Sequence, residues 1–296
     1  MSAPDGCNLL DAIAALEDSL RVLIRATAWV RLTVSAVAIL GAGAALAGSD
    51  TPSADEIIRQ SMVASARDWA ASPHYDYFDR ERTVDGVRTS AVTMILGTPY
   101  ERLVSIDEKP LSASDSAKEE KKLAAETAKR NAESSGDRAD RLADYRKTRE
   151  QAHQIIQEMP RAFVYQVAST KQARGRTVYV LRATPRAGYD PPNAASKVLT
   201  GMEGEFWIDT ATYQWVHASA RVLTPVSIAG FLVKVQPGTR FELDQVPIEG
   251  DVWLPSHYEI RSRSSILFLF HHRVYEEHTY FNYRRNAAPA ATGGGR

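Results

Sequence analysis

Apolar positions recur along this chain with two different periods. Ile58, Met62, Ala66 and Trp69 are spaced four, four and three residues apart, behind Ser53 and Glu56, a pair that caps a helix start. One apolar stripe implies one covered face, so this helix is expected to lie on another layer and to end at Pro73. From Tyr75 to Asp107 the pattern becomes that of strands, as in Ala91 to Leu96 before the turn at Gly97-Thr98-Pro99. Residues 113–158 are then rich in Ala, Glu, Lys and Arg on both sides of Ser134-Ser135-Gly136, which predicts two helices joined by a turn. The first shows little apolar surface beyond Leu123. The second carries Leu142, Tyr145, Ala152, Ile156 and Met159 on a stripe broken by Arg149.

After Pro160 the chain reads almost entirely as strand. Phe163, Tyr165 and Val167 alternate with smaller or polar residues, and runs follow at 177–183, 205–208, 213–223, 228–236, 239–246, 252–263 and 266–280. Pro237-Gly238 and Glu249-Gly250 mark tight connections, which suit antiparallel neighbours. Alternation assigns the faces. Phe231, Val233 and Val235 share one side of their strand. Phe241 and Leu243 oppose Arg240, Glu242 and Asp244, and Val252, Leu254, Tyr258 and Ile260 oppose His257, Glu259, Arg261 and Arg263. A sheet with one apolar and one charged face is antiparallel, covered on one side and wet on the other. The fold class is therefore α+β, a wide antiparallel sheet curved over a few helices. Ile266-Leu267-Phe268-Leu269-Phe270 is apolar on both faces, which suits either a central strand covered twice or a strand with one face on a greasy cleft.

Two segments carry a resemblance. Gly204-Glu205-Phe206-Trp207-Ile208-Asp209 with Thr212-Tyr213, and 238–254 ending before Pro255, resemble strands of the outer-membrane lipoprotein carrier (LolA/LolB-like) superfamily. Gly97-Thr98-Pro99-Tyr100-Glu101-Arg102 and the helical segment 113–158 are similar to those of a group of exported bacterial proteins of unassigned function. The resemblance implies an open half-barrel with helices on the concave face and an apolar space between them for lipid chains. The helical hairpin is absent from the simple carriers, and their functional arginine matches no position here. On this reading the ligand-binding face comprises Phe231, Val233, Phe241, Leu243, Tyr258 and Ile260.

Composition narrows the rest. The 36 basic and 36 acidic residues balance, which argues against a nucleic-acid or anionic-membrane partner held by bulk charge. Arg31 precedes an apolar run from Leu32 to Ala47 that closes on Ala45-Leu46-Ala47, the three parts of a cleavable export signal. Its 16 residues fall short of the ~20 needed to cross a bilayer as a helix. We therefore expect a leader and signal peptide over 1–47, cleavage after Ala47, and a single periplasmic domain over 48–296. Leu9, Leu10, Ile13 and Leu16 have helical spacing, but the first 30 residues are read as lying upstream of the true start. Cleavage removes Cys7, the only cysteine, and with it disulfide, thiolate and cysteine-metal chemistry.

His271, His272, Glu276, Glu277 and His278 form the one cluster that could pass for chemistry. On a strand His272, Glu276 and His278 share a face, yet residues four apart lie about 13 Å apart. Only Glu276 and His278 could chelate together, and two ligands do not make a site. The cluster is read as a solvated strand end, with no metal and no cofactor expected. No nucleophile elbow, phosphate loop or dinucleotide fingerprint occurs in the exported part. The expected function is a periplasmic, non-enzymatic carrier or binding protein for an acyl chain, lipid or lipoprotein-like ligand. The alternatives are an envelope interaction protein that docks a protein partner through 113–158, and a hydrolase on the same scaffold.

Overall fold

The computed structural model describes residues 51–229, 233–266 and 270–286. Residues 1–47, read above as a leader and export signal, Phe231 and Leu267 to Leu269 lie outside them. Helix α1 (Ala54–Ala71) starts as its sequence predicts, with Ser53 Oγ accepting the Glu56 N–H at 3.2 Å. The Glu56 carboxylate turns forward to Gln60 and Arg59. The buried face holds Ile57, Ser61, Ala64 and Asp68 beside Ile58 and Trp69, one residue round from the expected stripe. Two polar residues on a buried face hide it from an apolar count. Ser61 satisfies its hydroxyl on the Ile58 carbonyl at 2.9 Å, so its burial costs little.

The strands are β1 (Tyr75–Thr83), β2 (Gly86–Ile95), β3 (Thr98–Ile106), β4 (Lys109–Pro110), β5 (Phe163–Ala173), β6 (Arg176–Pro185), β7 (Met202–Asp209), β8 (Trp215–Val222), β9 (Val226–Ala229), β10 (Val233–Val235), β11 (Arg240–Glu249), β12 (Val252–Ile266) and β13 (Phe270–Arg285). They form one sheet, ordered β4-β3-β2-β1-β13-β12-β11-β8-β7-β6-β5, with β10 and β9 branching from β12. Every neighbour pair is antiparallel and the sheet does not close on itself. The antiparallel α+β sheet read from the alternation is observed, and it is open, as the resemblance implied.

Helices α2 (Ala113–Asn131) and α3 (Ser135–Ala162) join β4 to β5, and those strands are the opposite edges of the sheet. Eleven strands at ~4.8 Å would span roughly 50 Å if flat. The 28 residues of α3 cover about 42 Å at 1.5 Å each, so one helix crosses a curved sheet from edge to edge. The hairpin forms the connection between the two edge strands and is laid across the sheet. Pro160 lies inside the last turn of α3 instead of ending it. Ser112 and Ser134 cap the two helices, each accepting an N–H three residues on at 3.1 Å.

Arg149, which breaks the apolar stripe of α3 in sequence, is 2% exposed and continues that stripe in space. Its guanidinium lies 4.9 Å from the Trp69 ring and 5.1 Å from Tyr145, and donates to the Trp69 carbonyl and Tyr145 hydroxyl. His153 stacks on Trp69 at 4.1 Å. Burial pulls His153 down to about 4, with Arg149 adding to the effect, so this ring is neutral in the α1–α3 seam. A second polar latch ties α1 to the sheet. Asp68 Oδ1 accepts the Trp253 N–H at 3.0 Å and Gln214 Nε2 at 3.2 Å. Burial pushes the Asp68 carboxyl up to about 7 against the pull of both bonds, and Oδ2 has no partner among the described residues.

The main core lies between the concave face and α1, α3 and the 3₁₀ turn Ala195–Gly201. Leu181, Phe206 and Ile208 meet Ile57, Ile155 and Leu199 there. The opposite face departs from the wet surface expected of it. Val178, Val180, Val216 and Trp253 are buried there in a second cluster with Trp207. Long basic side chains cover it: Lys171 Nζ sits 3.4 Å from the Trp207 ring centre and Arg176 4.5 Å from that of Trp253.

Candidate functional site: an apolar cavity under α3

The register places two cross-strand rows on the concave face. One runs Leu181, Phe206, Ala218, Leu243, Tyr258, His278, Glu81, and the other Ala183, Gly204, Ala220, Phe241, Ile260, Glu276, Thr83. Where the rows cross β7 and β8 they hold Gly204, Ala218 and Ala220, residues with almost no side chain. A floor of small residues under a straight helix leaves a gap, since α3 cannot bend down to fill it. The gap is a cavity of about 230 Å³. Ile155, Ile156 and Met159 of α3 and Val198 and Leu199 of the 3₁₀ turn roof it, while Phe206, Phe241 and Leu243 form walls. Gly204 is fixed by close approach, because a Cβ there would meet the Ser219 carbonyl oxygen at 2.9 Å.

Of the six residues expected on the ligand face, Phe241, Leu243 and Tyr258 line the cavity. Ile260, 1% exposed, packs with Tyr258 and Tyr280 in an adjoining cluster and does not reach the cavity wall. Val233 pairs with Ile266 through its backbone, and its side chain and Phe231 lie outside what is described. The sequence reading put Ile156 and Met159 on the apolar stripe of the second helix without assigning them to the ligand site, and it made no reading of the 3₁₀ turn that carries Val198 and Leu199. It also passed over Gly204, Ala218 and Ala220. Three small residues on one face of adjacent strands are a legible signal for a hollow.

The rows end in a polar group. His278 is 5% exposed and Glu276 8% exposed, so the strand end read as solvated is buried in the middle of the sheet. The reason is pairing: β13 lies between β1 and β12, and its inward face carries Glu276, His278 and Tyr280. Asp79 of β1 receives His278 Nδ1 at 2.9 and 3.0 Å, and Glu276 Oε1 lies 2.7 Å from Nε2. Burial pulls the imidazole down, but the hydrogen bonds to Asp79 and Glu276 outweigh it and hold its pKa at about 9. Tyr258 and Tyr280 separate this group from the apolar walls, with Tyr280 stacked on His278 at 5.7 Å.

The Trp-Ile-Asp motif serves the fold. Asp209 Oδ1 accepts the Ala211 and Thr212 N–H groups and the Thr212 hydroxyl at 2.8–3.0 Å, which clamps the turn and sets Tyr213 at φ 57°. Burial raises the Asp209 carboxyl, but these bonds and Arg176 outweigh it and hold it below the usual carboxylate range.

No family model matches the chain, and no curated protein matches it. Solved structures do. An outer membrane lipoprotein-sorting protein domain from Vibrio parahaemolyticus is 9% identical over 80% of this chain and 95% of that one, with a TM-score of 0.34. A DUF1329 family protein from Desulfovibrio piger is 10% identical over 81% and 96%, with a TM-score of 0.33. The MucA/MucB complex of Pseudomonas aeruginosa supplies a third match, 11% identical over 79% and 99%, with a TM-score of 0.25. No helix among the described residues is long and apolar enough to cross a membrane.

Proposed function

We propose that this chain is a non-enzymatic binding protein or carrier of the periplasm that holds an acyl chain, a lipid or a lipoprotein-like apolar group between the sheet and α3. The supporting observation is the cavity, apolar on floor, walls and roof. Apolar walls with no atoms packed against them lose dispersion contacts, so an unfilled hollow here is unfavourable. One bulkier residue on β8 would fill it, so alanine at both 218 and 220 favours an occupant. The volume is a little below the ~300–1,000 Å³ usual for drug-sized ligands, which suits a single chain or its end.

Ala220→Leu tests the reading. The added carbons enter the hollow, so urea unfolding should show stability unchanged or raised by up to about 1 kcal/mol. Affinity for a fluorescent fatty-acid probe should fall at least tenfold. Phe241→Ala removes a wall that is only partly buried, so a loss of about 1–2 kcal/mol is expected rather than the 3–5 kcal/mol of a closed core. Arg240→Ala, on the opposite face of β11, should alter neither quantity. Absence of probe binding by the native protein, together with core-sized losses in Phe241→Ala, would leave the cavity a packing defect. Organic extracts of protein purified from the periplasm should contain the ligand by mass spectrometry. Export is a separate expectation: N-terminal sequencing of the periplasmic protein should begin at Gly48, within a residue or two.

A further inference from the structure

We infer that Glu81, Glu276 and His278 form a binding site for one divalent transition-metal ion of the zinc or manganese kind, set in the centre of the sheet. One ligand atom from each of the three lies within 4.8 Å of the other two. Metal–ligand bonds of ~2.0–2.2 Å at tetrahedral angles put ligand atoms roughly 3.4 Å apart, so side-chain rotation of up to about 1.5 Å closes the set. The ligands sit on adjacent central strands whose ladder fixes them. Glu81 lies directly across from His278, and Glu276 is two residues from His278 on the same face. In sequence Glu276 and His278 are a pair that cannot make a site alone. The third ligand arrives from the first strand of the sheet.

The surroundings fit a metal in two independent ways. Asp79 accepts the Nδ1–H of His278 at 2.9 Å, so Nε2 is the ring nitrogen turned toward Glu276. A carboxylate behind a ligating histidine is the usual support for that tautomer. Nε2 and Glu276 Oε1 are 2.7 Å apart, and two lone pairs at that distance need a cation between them. A proton fills that place in the absence of metal, and a divalent ion would take it over, releasing the proton to solvent. Second, Tyr258 is more than nine-tenths buried, faces His278 across the ladder, and has a hydroxyl without a hydrogen-bond partner among the described residues. A water on the metal would give that hydroxyl a partner. One imidazole with two carboxylates favours zinc or manganese over the softer copper(I) sites and over the all-oxygen sites of magnesium and calcium.

The site is distinct from the apolar cavity, and the metal would staple β1 to β13, where the first four strands join the rest of the sheet. Chelator-treated native protein should bind Zn²⁺ and Mn²⁺ with a stoichiometry of one by calorimetry, with a rise in Tm, and Co²⁺ should give a visible d–d spectrum. Glu81→Gln and His278→Gln should each weaken binding at least tenfold, and Asp79→Asn by about 10- to 100-fold. The double variant His271→Ala, His272→Ala should titrate like the native protein, as should Ala220→Leu, whose effect belongs to the cavity. Glu81 is only half-buried, so its variant decides the matter if His278→Gln does not fold. No saturable binding of any of the three ions at 1 mM would overturn the site. So would native affinity in Glu81→Gln, or loss of binding in the double variant.

Discussion

Asp68→Asn should stabilise the protein by about 3–4 kcal/mol at pH 8 and by almost nothing at pH 4. In the unfolded chain this carboxyl titrates near its ordinary 3.8, while in the fold it is pushed up to about 7. Between those values the folded protein holds a proton that the unfolded chain has released. Its contribution to stability is therefore full below about pH 4, declines as pH rises toward 7, and is gone above about 8. A shift of roughly three units at 1.36 kcal/mol each gives the size. Asparagine keeps Oδ1 as the acceptor for the Trp253 and Gln214 donors and carries no charge, so it imitates the protonated acid. His153 pulls the other way. Its pKa falls on folding from 6.5 to about 4, so it lowers stability as pH drops below 6.5. The difference between variant and native protein cancels that slope. Urea unfolding of both from pH 4.5 to 8.5 reads it out, and a difference that stays flat with pH would refute the assignment.

Arg130→Met should cost about 3–5 kcal/mol, although helix α2 looks like a solvated arm in sequence. The side chain is 7% exposed and reaches the β2–β3 turn, donating to the Ile95 and Thr98 carbonyls at 3.0 and 2.8 Å and to the Thr98 hydroxyl at 2.8 Å. That turn needs holding, since Leu96 stands at φ 47° beside Gly97 at φ 90°. Methionine retains most of the volume and leaves buried carbonyls without a donor, at roughly 1–3 kcal/mol each. Arg141 also bonds Thr98 Oγ1, at 2.6 Å, so the loss is less than the sum. Lys118→Ala, which breaks an exposed pair with Asp115, should cost under about 0.5 kcal/mol. A loss below 1 kcal/mol for Arg130→Met would return α2 to the status of a removable arm.

Both effects show where the sequence is legible. Strand alternation located the sheet and three cavity-lining residues, because inward apolar side chains on β11 and β12 repeat with period two. Tight turns at Pro237-Gly238 and Glu249-Gly250 were equally plain, since those residues suit the backbone the turns require. The helical stripes misled because Asp68, Arg130, Arg149 and His153 occupy buried positions as polar residues. Each meets a partner far along the chain, such as Trp253 for Asp68, 185 residues away, and the Trp69 ring for His153. Polarity marks solvent only while the partner is unknown. The His278 group was misread for the same reason: Asp79 lies 199 residues before it. The Trp-Ile-Asp motif signalled fold correctly and site not at all, because its aspartate holds a turn.

The ladder between β1 and β13 sets the order in which the molecule can assemble. Tyr75 pairs with Arg285, so the first strand waits for almost the whole chain before its second neighbour exists. As the chain is made from the N-terminus, β1–β4 form a meander early, with one flank of β1 unpaired and Phe78 without Phe281 to stack on. Such an edge templates pairing with other chains. Closing a loop of about 200 residues is slow, and contacts this distant delay folding. Until β13 is available, the first four strands can present an open sheet edge, the kind of surface that chaperones shield.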